Sequence, residues 1–400
     1  MPERTADKYS NEGLNRLVTV DGQLYAFQEP AQLYNRAGLF IRQDWLDNLG
    51  LEAPTTLDEF LEVARAFTFD DPDGNGEDDT YGFGGQVQAA GVTGLGRTFG
   101  IFFGAHGVVG AWDLSDPSQL SLNIYNPAYQ DAVAFIKMLN DAGVMDPDWP
   151  VIAGDEFGAR WKQGHYGMFV QDFCTVICEA NYGDFDNNNP SGDLQLIMPP
   201  TGPEGESMIW YGAPIGNVYV VSQNAIDEGK AEAIARFMEW SHTDGYLLLS
   251  FGQEGVNFNI AADGNIVTEG IEDTLRHDAK ESQPILQLAN FSYVGGDTEL
   301  AARYASFQTN DGRTIDPLAF YNFAHNSGYV DTTAVQLVQP APNQADIDRY
   351  IAENMIQFIL GQKPLDDASW AEFIVGLDGL AVADSVAEAN ETARAAGFLN

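Results

Sequence analysis

Cysteine and positive charge are both scarce in this chain. Cys174 and Cys178 are its two cysteines, too few for a disulfide framework, and their C-x₃-C spacing matches no common zinc or redox motif. On a helix the pair would share one face, which reads as two buried thiols, with a local disulfide as the other possibility. Lys and Arg number 19 against 59 Asp and Glu, a formal net charge of −40. A field of that sign repels phosphates, so nucleic acid and anionic membrane surfaces are excluded as partners. The acid is scattered rather than gathered in a tail, which suits a salty medium where screening limits self-repulsion. The five histidines show neither H-E-x-x-H nor any paired ligand spacing. The G-x-S-x-G elbow of many hydrolases is missing too. The run Gly94-Leu95-Gly96-Arg97-Thr98-Phe99-Gly100 places its third glycine one position late for a dinucleotide loop. With 59 acids, adjacent carboxylates arise by chance and assign no glycosidase pair. A non-enzyme is expected. No apolar run reaches membrane-spanning length, and Met1-Pro2-Glu3-Arg4-Thr5 leads into polar sequence rather than a signal peptide.

What the chain does have is enough apolar material for a large core. Its 400 residues are 44% hydrophobic and 12% aromatic, which suggests two lobes. Thr56 and Glu59 form a capping-box pattern, and Leu57, Phe60, Leu61, Ala64 and Phe67 follow on one helical face. Ala132, Phe135, Ile136 and Leu139 repeat that spacing, as do Ile347, Ile351, Met355 and Phe358. Ile234, Phe237 and Met238 mark another helix. Short apolar runs lie between these helices, at 24–27, 167–170, 194–198 and 217–221. Helices alternating with buried strands predict an α/β fold. The Asn-rich stretch Asp184 to Asp193 and the stretch Pro199 to Glu206 read as loops.

The most specific local pattern is Asp71-Pro72-Asp73-Gly74-Asn75-Gly76-Glu77-Asp78-Asp79. Asp71, Asp73 and Asn75 offer side-chain oxygens at alternate positions, and Gly76 permits the sharp turn. The Glu77 carbonyl and Asp79 complete the set, as in an EF-hand-type loop around Ca²⁺. The twelfth position holds Gly82 in place of a bidentate Glu, and Tyr81-Gly82-Phe83-Gly84-Gly85 does not read as a second helix. A paired sensor EF-hand is therefore not expected. The plainer alternative is an acidic turn without metal.

Aromatic rings beside Asp, Glu, Asn, Gln and Arg make sugar sites, because pyranose faces are apolar and their edges are hydroxyls. Trp112, Trp161, Trp210 with Tyr211, and Tyr329 fall outside helical core stripes, whereas Trp45, Trp240 and Trp370 fall within helical patterns.

Residues 39–51, then Pro54-Thr55-Thr56-Leu57-Asp58-Glu59-Phe60, then the Asp-Pro-Asp-Gly-Asn-Gly loop together resemble the family 1 extracellular solute-binding proteins of ABC importers. The likeness is to their oligosaccharide branch, which includes alginate-binding and LipO-type lipoproteins. Gly164-His165-Tyr166-Gly167-Met168 is similar to the family's Gly-Met strand, and Phe251 to Phe258 to its G-x-E-G segment. The resemblance runs from about Asp21 to the C-terminus. It implies a two-lobed, type II periplasmic-binding-protein-like fold: 1–38 a remnant of lobe one, 39–216 lobe two, 217–312 lobe one again, and 313–400 C-terminal helices of lobe two. In the family, Asp21-Gly22-Gln23-Leu24-Tyr25 follows a full βαβα opening, so lobe one is expected to lack its first elements here, together with the export signal. The resemblance further implies an extracellular or periplasmic, lipid-anchored, monomeric protein that hands an oligosaccharide to membrane permeases. Its cleft would be lined by Gln28, Glu29 and Tyr34 from lobe one and by Gln86, Gln171, Asp172 and Phe173 from lobe two. Trp210 and Tyr211 would stand near the crossing, and Arg42 with Asp44 would be a structural pair at a helix start. The calcium ion would be structural, held by Asp71, Asp73, Asn75, Glu77 and Asp79. The alternatives are a secreted calcium-dependent carbohydrate-active enzyme and a truncated product that binds nothing.

Overall fold

The computed structural model describes residues 12–20, 22–30, 37–88, 95–177, 179–212, 215–262, 264–268, 271, 306–325 and 329–400. The main body is built on a mixed sheet of four strands, in the order Tyr81–Gly84, Tyr166–Asp172, Ala37–Arg42, Leu194–Ile197. Ala37–Arg42 runs antiparallel to both of its neighbours, while Tyr81–Gly84 lies parallel to Tyr166–Asp172. Every residue of Ala37–Arg42 is buried, as a strand covered on both faces must be. Alternation then sorts its side chains: Leu39 and Ile41 enter one core, and Phe40 the other.

Helices Leu57–Phe69 and Pro127–Asp141 cover the first face. Thr56 accepts from the Glu59 amide while Glu59 accepts from the Thr56 amide, so the predicted capping box is formed. Phe60 and Phe67 are fully buried, and Phe67 meets Trp45 edge-on at 5.3 Å. Each such ring removed from water contributes about 1.5–3 kcal/mol. The helix can come this close to the sheet because of Gly82, where a Cβ would stand 2.1 Å from the Ala64 carbonyl oxygen. Three C-terminal helices, Gln344–Ile359, Asp367–Asp378 and Val382–Ala395, complete the same core through Met355, Phe358, Trp370, Phe373 and Val382.

The second face is covered by Gly154–Gln163, Glu179–Asn188 and Pro317–His325. Trp161, placed outside the core by its sequence position, is 1% exposed and stacks on Phe169 at 5.5 Å. The stretch expected to be a loop from Asp184 is also helical as far as Asn188. Tyr182 and Phe185 are the reason, because both rings are fully buried in this core. Trp240 differs in the opposite sense: it lies in the Ala231–His242 helix but is 37% exposed.

Away from the main sheet, Ala26–Pro30 pairs antiparallel with Ile215–Val220, and Trp210–Gly212 pairs in parallel with Tyr329–Asp331. No helix among the described residues is long and apolar enough to cross a membrane. Cys174 lies in the Phe173–Ile177 helix, and Cys178 falls outside the described residues.

Candidate functional site

Two places in the body bear on the expected site residues. The first is the acidic loop that leaves the Leu57–Phe69 helix. Asp71 (φ 48°), Gly74 (φ 70°) and Gly76 (φ 79°) all adopt left-handed backbone, which folds the chain back on itself. Asp71 then accepts from the Gly76 amide at 3.2 Å, and the Asn75 carboxamide oxygen accepts from the Glu77 amide at 2.6 Å. Asn75 Nδ2 donates to Asp73 Oδ2 at 3.0 Å and to Asp79 Oδ1 at 3.3 Å. Burial, with the neighbouring Asp79 and Asp71 carboxylates adding to it, raises the Asp73 pKa above its ordinary value. The loop is fastened at three points. Asn48 Nδ2 donates to the Pro72 carbonyl at 3.0 Å, Thr80 Oγ1 to the Phe67 carbonyl at 2.8 Å, and His165 Nδ1 lies 3.0 Å from the Asp79 carbonyl.

This donor set is all oxygen, and Gly76 makes the turn that a cation-wrapping loop needs there, so the residues suit a hard divalent ion. An amide N–H₂ bridging two carboxylates stands where a cation would satisfy the same acceptors. Among the described residues no three His, Cys, Asp or Glu side chains converge closely enough to hold a metal as they stand. Ligation would draw the carboxylates of Asp71, Asp73 and Asp79 inward. Tyr81–Gly84, which follows the loop, is a strand and not a helix, as expected.

The second place is one end of the main sheet. Ala37 faces Asp172 and Gly38 faces Gln171 in register, and Tyr81–Gly84 ends beside Phe169. Gln171 and Asp172 are half-buried there. Gln171 Oε1 accepts from Arg97 Nη2 at 3.2 Å and from the Asp172 amide at 2.8 Å. Arg97 opens a short 3₁₀ turn, Arg97–Phe99, in the very stretch set aside as a failed dinucleotide loop. It is the residue the sequence reading missed at this end of the sheet. The available signal was a basic side chain in a chain that has few.

Other expected residues divide. Gln86 is 7% exposed, and its Nε2 donates to the Ile152 carbonyl at 3.2 Å. Its backbone exchanges hydrogen bonds with the Thr98 hydroxyl. Gln86 therefore braces this sheet end from inside. Phe173, expected to face ligand, is fully buried and meets Tyr321 edge-on at 6.0 Å. The helix that starts there turns the ring into the second core, so Phe173 is corrected to a packing residue. Gln28 and Glu29 lie on the Ala26–Pro30 strand, where Gln28 pairs with Val218. Trp210 and Tyr211 lie on the strand pairing with Tyr329 and Val330. Tyr34 falls outside the described residues. Arg42 and Asp44 are joined as expected, by bonds of 2.8 and 2.6 Å, with the guanidinium over the Trp45 ring.

A mixed α/β body with crossing strand pairs at its margin is the architecture of the solute-binding proteins, and three solved examples share it. The chain superposes on an HMO-binding, ABC-transporter-associated solute-binding protein of Bifidobacterium longum infantis with TM-score 0.66, at 16% identity, covering 100% of this chain and 82% of that one. For the Streptococcus pneumoniae protein FusA in complex with kestose the values are 0.63 and 17%, covering 98% and 81%. For the alginate-binding protein AlgQ2 they are 0.64 and 18%, covering 98% and 79%. The profile of the bacterial extracellular solute-binding proteins matches residues 12–248, and the chain belongs to that family. Among curated relatives, the polygalacturonan/rhamnogalacturonan-binding protein YtcQ of Bacillus subtilis is 31% identical over 255 residues, 63% of this chain and 49% of that protein. Lipoprotein LipO of the same organism is 27% identical over 263 residues, 63% of this chain and 49% of that protein. The chain thus spans about half the length of these two relatives.

Proposed function

We propose that this chain is the substrate-binding subunit of an ABC importer, working outside the cytoplasmic membrane and capturing an oligosaccharide for the permeases. The observation that carries this reading is membership of the solute-binding family, together with one relative, YtcQ, named for polygalacturonan and rhamnogalacturonan and another, FusA, named for fructooligosaccharide. The sheet end that holds Gln171, Asp172 and Arg97 would form one wall of the site. Gln28 and Glu29, with Trp210 and Tyr211 near the crossing, would face it from the other side. Carboxamide, carboxylate and guanidinium groups match the hydroxyl edges of sugars, and indole and phenol rings match their faces. Ligand touching both lobes stabilises the closed form by its differential contact, and no bond is made or broken. The protein acts as a monomer, and LipO's designation as a lipoprotein supports a lipid anchor for the complete protein.

The acidic loop is proposed to hold a structural calcium ion through Asp71, Asp73, Asn75, the Glu77 carbonyl and Asp79. The ion would supply charge neutralisation among the carboxylates and fix the helix end to the strand that follows. Two solved proteins of this fold support it: an EF-hand mutant of FusA and the alginate-binding protein AlgQ2 without calcium ion.

Thermal-shift titration in calcium, against galacturonan, rhamnogalacturonan and fructan oligosaccharides, tests the whole reading. A saturable upward shift with one class is expected, since a ligand selective for the native state stabilises it. A flat response across the panel overturns oligosaccharide capture by this chain.

A further inference from the structure

A cavity of about 300 Å³ lies within the C-terminal helical layer, away from both places described above. Its floor is Ile347, Ile351, Leu377 and Val382, each at most 4% exposed, and Trp112 forms one wall. A well-packed interior leaves few voids larger than a water molecule, whose share of liquid volume is about 30 Å³. A space this size with aliphatic walls, one indole and a polar mouth has the build of a small-molecule site.

The mouth is ordered by a chain of hydrogen bonds. The Ala341 amide donates to Gln344 Oε1 at 3.3 Å, and Gln344 Nε2 donates to Asp348 Oδ1 at 2.8 Å. Asp348 is the only charged residue among the described residues that line the cavity. From this geometry we infer that the cavity binds a small aromatic amine, its ring on Trp112 and the aliphatic floor and its ammonium at Asp348. A sugar is disfavoured, since its hydroxyls would be buried against Val, Ile and Leu without partners. An aromatic acid is disfavoured by Asp348 and by the −40 net charge, which also concentrates cations around the protein.

The test is calorimetric titration of the full chain with phenethylamine, 2-phenylethanol and phenylacetate, three ligands sharing one ring. One saturable site for phenethylamine is expected, weaker by about tenfold for the alcohol and undetectable for the acid. Asp348→Asn should bring amine and alcohol within about twofold of each other. Ser385→Trp, which fills the cavity from its rim, should abolish binding while leaving any oligosaccharide-induced thermal shift unchanged. Should that variant not fold, Asp348→Asn decides alone. No saturable amine binding, equal binding of phenylacetate, or an Asp348→Asn variant that keeps its preference for amine would each overturn the inference.

Discussion

Asp71 to Asp79 and Asp184 to Asp193 are both polar and rich in Asp, with two glycines in the first and three asparagines in the second. One is an open loop, and the other is helical through its first half, as far as Asn188. The difference lies in two places. In the first stretch Gly74 and Gly76 take positive φ, and seven of its nine residues are exposed, so nothing opposes the turn. In the second, Phe185 and, one turn before it, Tyr182 are fully buried. The Asn188 and Asn189 carboxamides then donate to helical carbonyls at Asp184 and Phe185, both at 2.9 Å. Polar composition leaves the backbone undecided; buried rings at helical spacing decide it.

Removing the anchor should have the largest effect. Phe185→Ala is expected to cost about 3–5 kcal/mol in chemical denaturation, since a fully buried ring leaves both its transfer energy and a cavity behind. A loss under about 1 kcal/mol would mean that the helix does not depend on its ring.

The acidic loop should respond to metal instead. Asp71→Ala is expected to lower the melting temperature clearly more in calcium than in chelator, where the lost Gly76 hydrogen bond alone acts. The calcium-linked stability at stake is about 2.7 kcal/mol when the ion is a hundredfold above its dissociation constant. Equal destabilisation in both media would rule out a metal role. Gly76→Ala comes next. Open space surrounds a Cβ there, but φ is +79°, so about 1–2 kcal/mol of backbone strain is expected even in chelator.

The smallest effect concerns a turn that docks on the second stretch. The Asn310 amide donates to Asp186 at 2.6 Å, and Asp311 holds that turn by accepting from the Thr309 hydroxyl and from Arg313 Nε. Those bonds, the Thr309 hydroxyl first, lower the Asp311 pKa from 3.8 to about 2. A depressed carboxyl pKa favours the folded form above the ordinary value and loses that advantage as pH falls through the folded value. Hydrogen exchange in the Thr309–Arg313 turn should therefore quicken as pH drops from about 4 to 2 after correction for intrinsic rates. Asp311→Asn should flatten that dependence; an unchanged profile would assign the acid sensitivity to another group.

Much of the fold was legible because its signals are local. The Thr56 cap, the Leu57 to Phe67 stripe and the apolar run at 167–170 each specify an element without help from elsewhere. The glycine-spaced loop was legible for the same reason. The sheet end was harder, since Arg97 reaches Gln171 across 74 residues of chain. Phe173, Trp161 and Trp240 carry the same lesson: an aromatic's spacing shows which face it shares, not whether another element covers that face.

The pairing of Ala37–Arg42 with Tyr166–Asp172 also has a kinetic side. Arg42 Nη1 meets the Gly164 carbonyl at 3.5 Å across 122 residues of chain. A ribosome completes the Leu57–Phe69 helix long before the strand that closes the sheet exists, and the C-terminal helices that finish the same core come last. Loop-closure entropy is spent before those distant contacts return it. A nascent chain of this kind carries Phe60 and Phe67 in an incomplete core until the helices between Gln344 and Ala395 have been made, an interval in which exposed apolar surface favours aggregation.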